Sequence, residues 1–172
     1  MSRTSTVRIT LALLLATASA HASVVRVYAD ARRNVHVVTM ARSDDSRLHR
    51  RSQIVPRQPG QVGIDSVTIA ADRETAGWLV LYANPDAGAP IAGRLMVWRD
   101  GRVVRTFSVS QTFWSWSFEN AGKQVAYHVG PLHGEQASHC ELHDVESGRL
   151  LQSWDGNLAD PTSPAWTKQL NH

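Results

Sequence analysis

The chain is short of the residues on which several common architectures and chemistries depend. Cys140 is its single cysteine, so no internal disulfide can staple the fold. With 11 Gly and 7 Pro among 172 residues, 42% of them hydrophobic, collagen-like and disordered classes are excluded and one globular domain is expected. No Gly-x-Ser-x-Gly occurs, and Cys140 falls in an expected strand rather than at a helix start, which leaves nucleophilic catalysis without a candidate. The longest apolar run is about ten residues, against roughly 20 for a helix that crosses a bilayer. Charge of one sign is also scarce. The whole chain carries +3, but Arg3 and Arg8 sit in an expected leader; without them 16 of the 18 cations face 15 acids. A nucleic-acid partner is not expected from so small an excess.

What is present begins with that leader. Residues 1–22 combine Arg3 and Arg8 as a positive flank, an apolar stretch over 9–16, and small residues ending Ala20-His21-Ala22, the parts of a secretory signal. Cleavage is expected after Ala22. No cysteine follows the small residues, so lipid attachment has no thiol and no stable membrane anchor is expected. The plain Ala-x-Ala ending and the Arg-rich, Lys-poor composition point to a bacterial periplasmic or secreted protein.

Internal repetition comes next. Residues 25–38, 66–79 and 115–128 align without gaps, with Tyr28, Ile69 and Phe118 as equivalent anchors. Two residues on, Asp30 and Asn120 supply a turn former, whereas the middle copy has Ala71 there and Asp72 one step later. Each copy predicts strand, polar turn, strand, with second arms at 34–38, 76–82 and 124–129. Trp114, Trp116 and Phe118 alternate with Ser115 and Ser117, a period of two that sets the aromatics on one face. Residues 69–76 have a competing reading as a helical turn. The later halves of two copies, residues 94–107 and 141–154, also align; Asp100-Gly101 and Ser147-Gly148 suit tight hairpins. Each full copy is thus expected as a four-stranded antiparallel unit. In the first copy residues 42–61 are polar, Arg-rich and interrupted by Pro56 and Pro59.

Phe118, Asn120, Gly122 and Lys123, followed by an apolar strand to Tyr127, resemble the blade repeat of TolB-like and WD40-type β-propellers, and residues 142–151 resemble the strand-turn-strand that closes such a blade. The resemblance spans residues 25–154, and the middle copy departs from it with Arg73-Glu74 where the family has Gly-Lys. It implies an all-β fold of antiparallel four-stranded blade-like units. Complete propellers have about four to eight blades, so two full units and one partial unit imply a partial propeller or open stack. Residues 95–98, Leu-Met-Val-Trp, are apolar on both strand faces and demand cover on each side. Self-association, a protein partner or another stacking of the hairpins would meet the deficit. One β-repeat domain is expected over residues 23–154, followed by a polar tail over 155–172 that holds Pro161 and Pro164.

The densest polar cluster is His128, His133, His139, Cys140, Glu141, His143 and Asp144. On a strand His139, Glu141 and His143 share a face and could converge on zinc or copper, although the spacing fits no established zinc signature. Alternatively they line a solvent-facing or inter-blade face while Cys140 and Leu142 turn into the core. His133 with Glu135, or His143 with Asp144, could serve acid–base work, but sequence neighbours on a strand point apart. Trp78, Trp98, Trp116 and Trp154 occupy repeat-equivalent positions expected in the core. Trp114 and Trp166 do not, which makes them candidates for a binding surface. Arg42, Arg47, Arg50, Arg51 and Arg57, with His49 and only Asp44 and Asp45 against them, form a basic stretch that would meet an anionic partner through Arg50 and Arg51, or else is a solvated loop. The leading expectation is an exported, non-catalytic protein that binds another protein or its own copy and needs no cofactor. The alternative is a metal- or small-ligand-binding periplasmic module built on His139, Glu141 and His143.

Overall fold

The computed structural model describes residues 22–43, 47–86, 88–132 and 138–170; the expected leader, but for Ala22, lies outside them. Among these residues the chain is almost wholly strand, arranged as three antiparallel sheets. The first holds β1 (Ser23–Ala29), β2 (Val35–Arg42) and β3 (Leu48–Val55), in that order. The second holds β4 (Gln61–Ile69), β5 (Ala76–Tyr82), β6 (Ile91–Arg99) and β7 (Arg102–Ser108). The third holds β8 (Thr112–Glu119), β9 (Gln124–Gly130), β10 (Ser138–Asp144) and β11 (Leu150–Gly156). Sequence neighbours pair throughout, and the sheets stack openly without closing into a barrel. No helix among the described residues is long and apolar enough to cross a membrane.

The three aligned segments adopt one shape, the opening hairpin of each sheet, with Tyr28 opposite His36, Ile69 opposite Ala76 and Phe118 opposite Val125. Local chemistry fixes each turn. Asp30 Oδ1 accepts the N–H groups of Arg32 and Asn34, and Asp72 Oδ1 accepts those of Glu74 and Thr75, so residues 70–75 form a side-chain-capped turn and not a helical one. Asp100 and Gly101, at φ of 51° and 82°, make the expected tight hairpin between β6 and β7.

Strand alternation then dictates the stack. Leu95 and Val97 join Leu79 and Phe107 against Phe113, Trp116, Val125 and Tyr127 of the third sheet. Met96 and Trp98 turn the other way, joining Trp78 and Val80 against Val24, Val35 and Val37 of the first. The double-sided cover expected for residues 95–98 is therefore supplied by the two outer sheets. Polar ties lock the second sheet to the third: Arg99, steadied by a 2.7 Å bond to Thr75 Oγ1 of its own sheet's turn, donates to the Gly122 carbonyl at 2.7 Å, and Trp116 Nε1 donates to the Ser66 carbonyl at 3.0 Å.

Three expectations are corrected. Residues 48–55 are a strand rather than a solvated loop, so the first sheet is a three-stranded unit and lacks only the outermost strand. It lacks that strand because Pro56 and Pro59 replace the tight Gly hairpin that follows β6 and β10, and the chain passes directly to β4. Trp114 leaves the aromatic face: a bulge between Phe113 and Ser115 sends Phe113 inward beside Trp116 and leaves Trp114 50% exposed. The stretch after residue 155 is not a loose polar tail. β11 runs to Gly156, and a 3-10 helix at Ala165–Leu170 brings Leu170, with Leu158, onto Ala126, Cys140 and Leu142. Ser115 Oγ donates to the Leu170 carbonyl at 2.7 Å.

Two measurements check this packing. A Cβ on Gly77 would lie 2.7 Å from Trp116 Cη2 and 3.1 Å from the Met96 carbonyl, so Gly77→Ala should lower stability by about 1–3 kcal/mol in denaturant titration. Cys140 is fully buried, and burial pushes its thiol up to about 11. An aromatic disulfide reagent should spare it in the native chain and label it once the chain is ended after Gly156.

Candidate functional site

Among the described residues, the open end of the stack is the outer face of the first sheet. Register brings Arg26, Tyr28, His36, Val38 and Met40 to that face beside Leu48, Arg50, Ser52 and Ile54. Part of it is a fixed ladder. Arg26 lies 4.7 Å over the Tyr28 ring, Tyr28 stacks on His36 at 4.9 Å, and His36 Nε2 lies 3.1 Å from Asp30 Oδ2. The His36 contact, with N–H bonds from Asn34 and Arg32, holds the Asp30 carboxyl at about 2. Beside this ladder β3 is bare. Its residues from Leu48 to Ile54 are all exposed, Leu48 and Ile54 at 61% and 60%. Arg50 and Arg51 project from opposite faces of the strand, so positive charge flanks both sides of the sheet edge. Ser43 N–H donates to the Arg47 carbonyl at the hairpin end, and the register is unbroken from there to Val55. Narrow pairs therefore fall at His49, Arg51, Gln53 and Val55, and the N–H and C=O groups of Leu48, Arg50, Ser52 and Ile54 point away from β2. Among the described residues those groups form a free edge.

The second constellation lies between the second and third sheets. β10 does bring His139, Glu141 and His143 to one face, and Glu141 ties them together. Glu141 Oε1 lies 3.0 Å from His139 Nε2, and Oε2 lies 2.6 Å from His143 Nε2 while accepting the Tyr127 hydroxyl. His143 Nδ1 donates to the Gly148 carbonyl at 3.0 Å, and His139 Nδ1 meets Asp155 Oδ1 at 2.7 Å. Phe107 closes the site from the second sheet, 5.0 Å from His143. Burial alone would raise Glu141, but the bonds from Tyr127, His143 and His139 outweigh it and hold the carboxyl at about 2. His139 is raised, first by Asp155 and then by Glu141. Tyr127 is driven far above the usual phenol range by burial and then by Glu141. Every ring nitrogen here already has a partner, and among the described residues no group of three or more His, Cys, Asp or Glu is arranged to hold a metal ion. Chemically the cluster is a clasp across β9, β10 and β11.

The remaining candidates do not converge on either place. His128 is on the opposite face of β9 from Tyr127, its basicity lowered by burial. Asp144 is engaged by Ser147 at its own turn, and His133 and Glu135 lie outside the described residues. Trp166 is half-buried and donates to Gln152 Oε1 at 2.8 Å, anchoring the C-terminal segment, while Trp114 lies over Gly130. The sequence pattern does not place Tyr127 or Asp155 in this cluster, because they come from the neighbouring strands β9 and β11. The Ser147-Gly148 hairpin carried back without interruption puts Trp154 opposite His139; a register shift next to His143 moves Asp155 there instead, and no turn residue announces that shift.

The clasp makes a pH prediction. Glu141 falls from its ordinary 4.5 to about 2 on folding, so its contribution is complete above 4.5 and is lost as pH falls toward 2. His139 is raised above 6.5, so its contribution is complete below that value and fades as pH rises through the folded value. Glu141→Gln should cost roughly 1–3 kcal/mol near pH 6 and flatten the acid limb of a pH series of denaturation midpoints.

No protein-family model matches the chain, and no curated protein matches it. Among solved structures it is similar to Kuenenia stuttgartiensis hydrazine synthase at 16% identity and a TM-score of 0.39, over 76% of this chain and 38% of that one. The chain thus spans well under half the length of that structure.

Proposed function

We propose that this chain is an exported, non-catalytic interaction module of TolB-like or WD40-type blade units, and that it holds a protein partner at the uncovered end of its stack. One observation carries the reading: the two ends are finished differently. The third sheet's outer face is roofed by Leu158, Trp166 and Leu170, whereas the first sheet keeps an exposed last strand with two large aliphatic side chains in water. A leader at residues 1–22 supports export to the periplasm or medium, and cleavage after Ala22 would leave Ser23, where β1 begins, so no ladder position is lost. The engagement of His139, Glu141 and His143 with one another favours this reading over a metal or small-ligand module. A nucleic acid is not the proposed partner, since the chain without its leader is nearly neutral.

Site-specific photo-crosslinking in the native host tests it. A photoreactive residue at Leu48 or Ile54 should trap partner protein, one at exposed Arg102 or Ser153 should trap far less, and the recovered chain should begin at Ser23. Uniform trapping at all four positions, or a retained leader, would overturn the proposal.

A further inference from the structure

The free edge of β3 points to a particular partner. We infer that the first sheet is completed by an extended, acidic segment of the partner protein, added as a fourth strand along β3; this rests on the reading of that end as a docking surface. The second and third sheets show what is missing. Each ends in a seven-residue fourth strand, β7 or β11, hydrogen-bonded to its third strand. The first sheet stops at β3, whose outward N–H and C=O groups at Leu48, Arg50, Ser52 and Ile54 repeat at the spacing a strand reads. A seven-residue extended segment spans that row.

Charge selects the occupant. From Leu48 to Val55 the strand carries Arg50, Arg51 and His49 and no acid; Arg42 and Arg47 precede it, with Asp44 and Asp45 between them, and Arg57 follows it. A second copy is disfavoured. Antiparallel pairing of two β3 edges in the register that joins the whole outward row sets Arg51 opposite Arg51, a like-charge pair; the shift that sets Ser52 opposite Ser52 avoids it but leaves each Leu48 opposite Pro56, which has no N–H to give. The chain's own residues 1–22 are no better matched, since they hold Arg3 and Arg8 and no Asp or Glu. A partner segment with carboxylates on both faces answers Arg50 on one side and Arg51 on the other. Its apolar residues have Leu48 and Ile54 to pack against.

The test uses the full chain and dye-labelled nine-residue peptides: one with adjacent Glu residues at its centre, so that both strand faces carry a carboxylate, flanked by Val and Thr; its Lys-for-Glu counterpart; and the acidic peptide broken by a Pro between the Glu residues. The acidic peptide should bind at least tenfold more tightly than either other. Amides of Leu48, Arg50, Ser52 and Ile54 should exchange more slowly on binding, while those of His49, Arg51 and Gln53, already paired to β2, stay unchanged. Ser52→Pro removes one outward N–H and leaves the β2 ladder intact, so it should abolish binding with little change in melting temperature. Should that variant fail to fold, Arg50→Glu with Arg51→Glu should reverse the preference toward the Lys peptide. Equal binding of the three peptides, protection elsewhere, or concentration-dependent dimers whose β3 amides are already slow would each overturn the inference. If these variants leave the Leu48 and Ile54 crosslinks intact, the end docks a folded partner and only strand addition fails. If no crosslink forms at either residue, the docking reading fails with it.

Discussion

The structure depends on a strand with no polar face. Along β6, Leu95 and Val97 face one way and Met96 and Trp98 the other, all at most 4% exposed. Burying a side chain of this size stabilises by about 1.5–3 kcal/mol, and only if something covers it. A sheet built round such a strand cannot end a stack, so it needs a neighbour on each side. Those neighbours need only one apolar face apiece. Three sheets are the smallest number that satisfies this, and each outer sheet then has a far face to settle with water.

The two far faces are settled in different ways. The third sheet presents Ala126, Cys140 and Leu142 outward and covers them with the C-terminal segment, pinned by the Ser115–Leu170 and Trp166–Gln152 hydrogen bonds. The first sheet presents a mostly polar face and leaves it open. The interfaces differ in the same sense. Arg99, Arg105 and Trp116 donate from one sheet to backbone carbonyls of the other between the second and third sheets. Between the first and second, the indole N–H groups of Trp78 and Trp98 are buried without an acceptor, each worth roughly 1–3 kcal/mol if left so. Directional bonds cross that joint as well, from Val24 N–H to the Arg73 carbonyl at 2.6 Å and from Gln61 Nε2 to the Arg33 carbonyl at 2.9 Å, so the two joints differ in the unpaired indoles rather than in the kind of tie.

Much of this was legible because it follows from a period of two and from turn chemistry. The hairpins opening each sheet, the Asp100-Gly101 turn and the two-faced β6 all come from local patterns that tertiary contacts had no reason to override. The misreadings share a different cause. β3 carries the alternation of a strand with almost no apolar side chains, so hydrophobic periodicity has nothing to register there; only pairing with β2 makes it a strand. One inserted residue at the Trp114 bulge flips every face assignment before it, and composition does not announce a bulge. The C-terminal segment is polar on average, yet two leucines and a tryptophan suffice to dock it. The His139–Glu141–His143 face was legible, but its use was not, since Tyr127 and Asp155 arrive from other strands.

The charge on β3 has a second consequence. Basic residues along an edge strand are a common guard against unwanted pairing, and Arg50 and Arg51 discourage contact between copies of this chain whatever else they do. A guard alone, however, favours charge or proline at the positions whose backbone groups face outward. Here two of those four positions are Leu48 and Ile54, the most exposed large aliphatic residues among those described. In water they add nothing to the sheet and raise the hazard that the arginines lower. An edge that repels its own kind and still displays apolar side chains at the ends of an outward hydrogen-bonding row suits the strand addition we propose, in which an unlike strand brings opposite charge to the middle and apolar contact to the flanks.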